Sequence, residues 1–237
     1  MKKGEKINDI FIEKLPETYK KENDLNKVKN RCSQLEKELE KSNEKLYQIM
    51  EGIAYVITKV VEIRDPYTTG HQQRVSKLAT AIARELRLPD DKVKGIRLAS
   101  LVHDIGKVNL PTEIVSKPSK LIEVEFNLIK NHPKIAYDIL KGVEFPWPIA
   151  EIVFQHHERI DGSGYPRGLK GDEILIEAKI LGLANVIEAM TSYRSYRPAL
   201  EIDVSLTEID NNKDILFDSK VVDACLKLFR EKNFNFD

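Results

Sequence analysis

The stretch from Ala99 to Pro111, ASLVHDIGKVNLP, carries an apolar run (Ala99, Leu101, Val102) into adjacent His103 and Asp104, then Gly106 and Lys107. An imidazole beside a carboxylate at the end of a buried helix packs poorly but makes a good pair of metal ligands. Lys107 follows one turn later, where an ammonium could meet a phosphate oxygen. The other four histidines, His71, His132, His156 and His157, each fall at an expected helix end or beside a turn. A lone histidine on an apolar face is usually a satisfied core residue. All five at element ends, with Asp104 attached, point instead to a metal site.

The adjacent pairs say more. Neighbours on a helix point about 100° apart, so two of them rarely chelate one ion comfortably, but each can reach a different ion. His103-Asp104 and His156-His157 are both such pairs, and a carboxylate can bridge two ions. Mixed imidazole and carboxylate ligands favour Fe, Mn or Zn over Mg or Ca, and without a nearby thiolate a structural zinc site is disfavoured. Two metals a few ångströms apart clamp an in-line displacement at phosphorus. Lys107, Arg194 and Arg197 are the candidate phosphate contacts, the arginines able to bind oxygens bidentately. Alone, Arg194 and Arg197 would read as an exposed cationic turn.

These residues need a scaffold, and the chain of 237 residues, 41% hydrophobic, can build one generous domain or a domain plus an extension. Lys+Arg and Asp+Glu are both 38, so nothing global steers it to a nucleic-acid polymer or an acidic membrane surface. Cys32 and Cys225 lie far apart, which suits a reducing compartment. The start has no apolar signal segment, and no run approaches the roughly 20 residues that span a bilayer, so the expected location is cytoplasmic.

Residues 1–22 are expected to form a polar tail, with Pro16 breaking any long helix. From Leu25 through Val28, Cys32, Leu35, Leu39, Ser42, Leu46, Ile49, Ile53, Val56, Val60 and Ile63, seam positions recur in alternating steps of three and four. That predicts a helical stalk over 23–63, a coiled coil in a parallel dimer, with a long amphipathic helix lying on its own domain as the alternative. From about Gly52, Ala54, Tyr55, Ile57 and Val61 add apolar positions, so the helix is expected to enter the core there. A break at Asp65-Pro66 and a restart near Gly70 lead to helical spacing over Val75, Leu78, Ala79, Ile82, Ala83 and Leu86. Further helices are expected over Val93–Val102, Glu123–Asn131, Ile135–Leu140, from Pro146-Trp147-Pro148 to His156-His157, and over Ile174–Thr191. Two weaker helices follow, reaching Phe229. The glycine-rich ERIDGSGYPRGLKGD (158–172) reads as an ordered loop with apolar anchors. Without period-2 segments, the fold is expected to be all-α.

HDIGK, the His132-Pro133 pair and above all HHERIDGSGYPRGLKGDEI (His156 to Ile174) resemble the HD-GYP family, all-α HD-superfamily phosphodiesterases that hydrolyse cyclic di-GMP. The resemblance runs from about Arg64 to Leu200, loosely beyond, and implies an HD-superfamily helical bundle over 51–237. It implies that His71, His103, Asp104, His132, His156 and His157 ligate two divalent ions, Fe or Mn. Lys107 then lies near the phosphate with His103 and Asp104 in the catalytic set, Arg194 and Arg197 contact substrate phosphates, and Gly164, Tyr165 and Pro166 shape the pocket rim and partner contacts.

Three departures bear on activity. Where the family has a metal-binding Asp, this chain has Asn185, a neutral and weaker ligand; Glu188 replaces a second Asp and keeps its charge. The Glu that holds a third metal in some members is Tyr67 here, so at most two metals are expected. The expected function is hydrolysis of cyclic di-GMP to linear pGpG, and further to GMP in one variant of that reading. The alternatives are an impaired HD-GYP protein acting as a cyclic-dinucleotide binder or signalling scaffold, and an HD hydrolase for another nucleotide. A homodimer through the N-terminal helix and a signalling partner protein complete the expectations.

Overall fold

A computed structural model describes residues 22–64, 69–117, 119–193 and 198–236. The expected polar tail, the Asp65-Pro66 break, Tyr67, Arg194 and Arg197 lie outside the described residues, apart from Glu22. The chain divides into two compact units at the Met50–Glu51 junction.

Helix α1 (Glu22–Arg64) begins in the first unit. There its seam residues Leu35, Leu39, Leu46 and Ile49 are exposed, Leu39 by 62%. Within the second unit Ala54, Thr58, Val61 and Glu62 are buried, whereas the seam residues Ile53, Val56, Val60 and Ile63 stay exposed. Two faces thus serve different ends: one packs on the domain, and the heptad seam remains open. Tyr55, expected to enter the core, stays exposed.

Among its described residues the second unit consists of helices and connecting loops, with only isolated bridges joining Asp161 to Lys170 and Lys213 to Phe217. After α1 come α2 (His71–Glu85), α3 (Asp90–Val102), a 3-10 turn (Ile105–Asn109), α4 (Thr112–Val115) and α5 (Glu123–Ile129). Then follow α6 (His132–Leu140), α7 (Ile149–Gln155), α8 (Ile176–Thr191), α9 (Ile202–Asn211) and α10 (Ser219–Lys232). Helix α6 starts at His132 rather than Ile135, because Pro133 sits in its first turn, where a missing N–H costs nothing. Helix α8 starts at Ile176, two residues later than expected.

Helix α2 is central, packing on α3, α8 and α10. Its apolar stripe Val75, Leu78, Ala79, Ile82 and Ala83 is wholly buried, as are Ile180, Leu181 and Ile187 of α8. Each large side chain so buried contributes roughly 1.5–3 kcal/mol from removal of apolar surface from water. The Asp218 carboxylate caps α10 by accepting from the backbone N–H of Lys220 and Val221. The end of α1 is tied to the chain on both sides of His103: Thr58 Oγ1 donates to Leu101 O of α3 at 2.7 Å, and Arg64 donates to Val108 O and to Leu110 O. No helix among the described residues is long and apolar enough to cross a membrane.

Candidate functional site

Three histidines sit where helices end, and that position selects their tautomer. His103 follows α3 and its Nδ1 faces Ser100 O at 2.8 Å; His156 follows α7 and its Nδ1 faces Val153 O at 2.5 Å. His132 opens α6, and its Nδ1 faces Ile129 O, the last residue of α5, at 2.7 Å. The last turn of a helix has carbonyls with no intrahelical partner. A carbonyl only accepts, so Nδ1 must carry the proton and each Nε2 is left as a lone pair. His71, at the start of α2, is oriented by another route: its Nδ1 pairs with Glu188 Oε2 on α8.

The free nitrogens converge. His71, His103 and Asp104 form one group and His132, His156 and His157 another, the ligand atoms within each lying no more than 4.8 Å apart. Asp104 stands between them. Its Oδ2 is 3.7 Å from His71 Nε2 and 3.6 Å from His103 Nε2, while its Oδ1 is 3.4 Å from His132 Nε2. His132 Nε2 and His156 Nε2 are 3.4 Å apart, a contact between two lone pairs that only a shared cation or proton makes favourable. Two buried atoms, His103 Nε2 and Asp104 Oδ2, have no hydrogen bond. Lys107 Nζ stands 2.8 Å from that same Oδ2, within ion-pair range. A buried imidazole nitrogen without a hydrogen bond, His103 Nε2, within a ring of nitrogen and carboxylate donors is what a divalent metal would satisfy.

The electrostatics agree with that fit. Burial pushes His103 and His132 down to about 4, and holds His156 and His157 well below the usual imidazole range, so all four rings are neutral at pH 7 and able to ligate. Burial alone would raise the Asp104 carboxyl; Lys107 foremost, with the surrounding imidazoles, holds it well below its usual range instead. Glu188, wholly buried, is likewise pushed up by burial but brought to about 2 by the His71 hydrogen bond, Ser192 and Arg74. Its Oε1 accepts from Arg74 Nε at 2.8 Å and from Ser192 Oγ at 2.6 Å.

Close backbone approach brings the elements together. A β-carbon on Gly182 of α8 would lie 2.6 Å from His156 O, so glycine there lets α8 pass directly beneath the histidine pair. Beyond His157, the signature loop folds back on its own start. Tyr165 stacks on His157 with centroids 4.6 Å apart and planes at 21°, and the Tyr165-Pro166 peptide is cis. The buried Glu158 carboxylate holds the loop, accepting from Arg167 N at 2.8 Å and Leu169 N at 3.0 Å. Gly164 packs so tightly there that a β-carbon would be 2.4 Å from Glu158 Cα.

The structure therefore brings His71, His103, Asp104, Lys107, His132, His156 and His157 to one place, with Tyr165 stacked against it. Asn185 lies half-buried on α8, one turn before Glu188, and Pro166 is exposed at the loop. Arg194 and Arg197 lie outside the described residues. The sequence reading missed Arg74 and Glu158. Each had a local signal: Arg74 is one turn from His71 on the same helix face, and Glu158 directly follows the histidine pair.

Residues 55–221 match the HD domain family. The chain is 37% identical over 202 residues to the cyclic di-GMP phosphodiesterase response regulator RpfG of Xanthomonas campestris pv. campestris (strain 8004), covering 84% of this chain and 53% of that protein. It is 35% identical over 178 residues to the 3'3'-cGAMP-specific phosphodiesterase 3 of Vibrio cholerae serotype O1, covering 75% and 39%. The chain thus spans about half the length, or less, of the relatives it matches. A crystal structure of a cyclic GMP-AMP specific phosphodiesterase of V. cholerae (V-cGAP3) shares the fold with a TM-score of 0.59 at 18% identity, covering 76% of this chain and 49% of that one.

Proposed function

Because this chain belongs to the HD domain family and carries the HD-GYP signature, we propose that it is a metal-dependent phosphodiesterase that opens cyclic di-GMP to linear pGpG. The observation that carries the reading is Asp104, whose two oxygens face the two histidine groups separately. His71, His103 and Asp104 would hold one ion and His132, His156, His157 and Asp104 the other, with Fe or Mn suited to these ligands. When bound, such ions lower the pKa of a water and neutralise phosphate charge.

The protein's own groups prepare the reaction. The carbonyl-bound Nδ1 protons and Glu188 hold the rings so that Nε2 faces inward. Lys107 places an ammonium beside Asp104, able to meet a phosphodiester oxygen without leaving its helix turn. In this reading Arg194 and Arg197 contact phosphate oxygens, and the Glu158-held loop with Gly164, Tyr165 and Pro166 walls the pocket. The open heptad seam of α1 supports assembly as a homodimer; in this reading the protein acts in the cytoplasm and a signalling protein supplies its input.

The test is to load the protein with Mn or Fe, incubate it with cyclic di-GMP and resolve pGpG and GMP by chromatography. Appearance of pGpG in step with metal content supports the reading; binding without any linear product overturns it. The half-buried amide of Asn185 on α8 favours a second reading, a binder with impaired turnover. Asn185→Asp decides between them: a large gain in turnover supports impairment, and an unchanged rate rejects it.

A further inference from the structure

Outward from the pocket-wall residue Tyr165, which stacks on His157, the structure places an ammonium and a phenylalanine that the proposed mechanism does not use. Tyr165 lies flat on His157. Lys130 Nζ stands 5.6 Å from the Tyr165 centroid and 4.7 Å from that of Phe126, one turn earlier on α5. Among the described residues no carboxylate pairs with Lys130. Its backbone is held at the end of α5, where the main-chain N–H of Lys130 donates to Phe126 O at 3.0 Å and His132 follows two residues later. Phe126 keeps 44% of its surface open, in company with exposed Ile122, Val124 and Leu128.

From this geometry we propose that Phe126 and Lys130 form a purine subsite beside the histidine cluster, and that Lys130 makes it select guanine. The inference rests on the cyclic-dinucleotide reading and adds the residues that would choose its base. An exposed aromatic ring accepts any nucleobase by stacking, so Phe126 supplies affinity without choice. The choice comes from the ammonium, which has three donors and no acceptor. On its outer edge guanine presents two acceptors, N7 and O6, whereas adenine presents N7 beside the N6 amino donor. Lys130 can satisfy both guanine atoms; against adenine it meets a donor and loses a hydrogen bond. Aromatic rings on two sides hold the ammonium in place and strip part of its water, which sharpens that difference.

The experiment compares wild type, Lys130→Met and Phe126→Ala with cyclic di-GMP, 3'3'-cGAMP and cyclic di-AMP. It reads kcat/KM, equilibrium Kd and metal content per chain. The expected results are a wild-type preference for cyclic di-GMP over cyclic di-AMP and a fall of at least tenfold in that preference for Lys130→Met, through KM rather than kcat. Metal content stays unchanged, and Phe126→Ala weakens all three ligands alike. Equal losses for every dinucleotide in Lys130→Met make the ammonium a phosphate contact and overturn the proposal, as does a wild type without guanine preference. If the wild type cleaves none of them, the proposed hydrolysis fails, and the ratio of Kd values still decides the subsite by the same criterion.

Discussion

Gly106 packs against the carbonyl oxygen of His132 so closely that a β-carbon on it would lie 1.9 Å from that oxygen. The 3-10 turn that follows His103-Asp104 therefore lies directly on the start of α6, and the 3.4 Å separation of Asp104 Oδ1 from His132 Nε2 depends on it. The second obstacle is also backbone, Ala136 N at 2.8 Å, so no side chain can swing aside.

Gly106→Ala is expected to push the two elements apart. Overpacking of this kind costs roughly 1–3 kcal/mol, and the two histidine groups should separate with it. Thermal unfolding of the metal-free protein should fall by several degrees, and metal titration should show at least one site weakened. A variant with unchanged melting and stoichiometry would show that the turn and α6 are not held in contact.

Glu188 orients His71 through a carboxylate–imidazole pair of the kind that sets a ligand's tautomer and basicity. Glu188→Gln keeps the size but loses the charge that Arg74 and His71 share. Metal affinity should drop on the order of 10- to 100-fold, read by competitive titration with a chelator. Glu188→Asp, one methylene shorter, should recover part of it.

Glu158 closes the signature loop through two backbone N–H groups. Glu158→Ala leaves both without their acceptor, at a cost of about 1–3 kcal/mol for each that stays buried. Hydrogen exchange at Arg167 and Leu169 should accelerate well beyond that of α2, and stacking of Tyr165 on His157 should loosen. Equal protection in variant and wild type would show that the loop is held elsewhere.

The acid side of the stability curve should report Glu85, at the end of α2. Hydrogen bonds from Lys227 and Lys232 of α10 bring its carboxyl to about 2, from an ordinary value of 4.5. Its folded value is depressed, so the unfolded chain binds the proton first. The stabilisation is complete above pH 4.5 and is lost as pH falls from there through about 2. Urea midpoints measured across that window should decline less steeply for Glu85→Gln than for the parent.

Much of the architecture could be read from the order of residues. Helical spacing marked α2, α3 and α8, because an apolar stripe that recurs every three to four residues has to face a core. Where the reading erred, neighbours decided: α6 begins earlier because Pro133 suits a first turn, and Tyr55 remains at the surface because α1 turns another face to the domain. Three of the histidines, His103, His132 and His156, could be picked out for a similar local reason, since each follows the last turn of a helix, where orphan carbonyls accept an Nδ1 proton.

By itself, then, the sequence determined the elements, the residue types at their ends and the family they belong to, all of which depend on local periodicity and motif order. Only the tertiary structure decided how Asp104 divides its oxygens between two histidine groups, which carboxylate orients His71, and that Lys130 stands between two rings. Glu188 and His71 are 117 residues apart. Such pairings arise from how closely whole helices approach, at contacts such as Gly106 on His132 and Gly182 on His156, and no spacing along the chain encodes that distance.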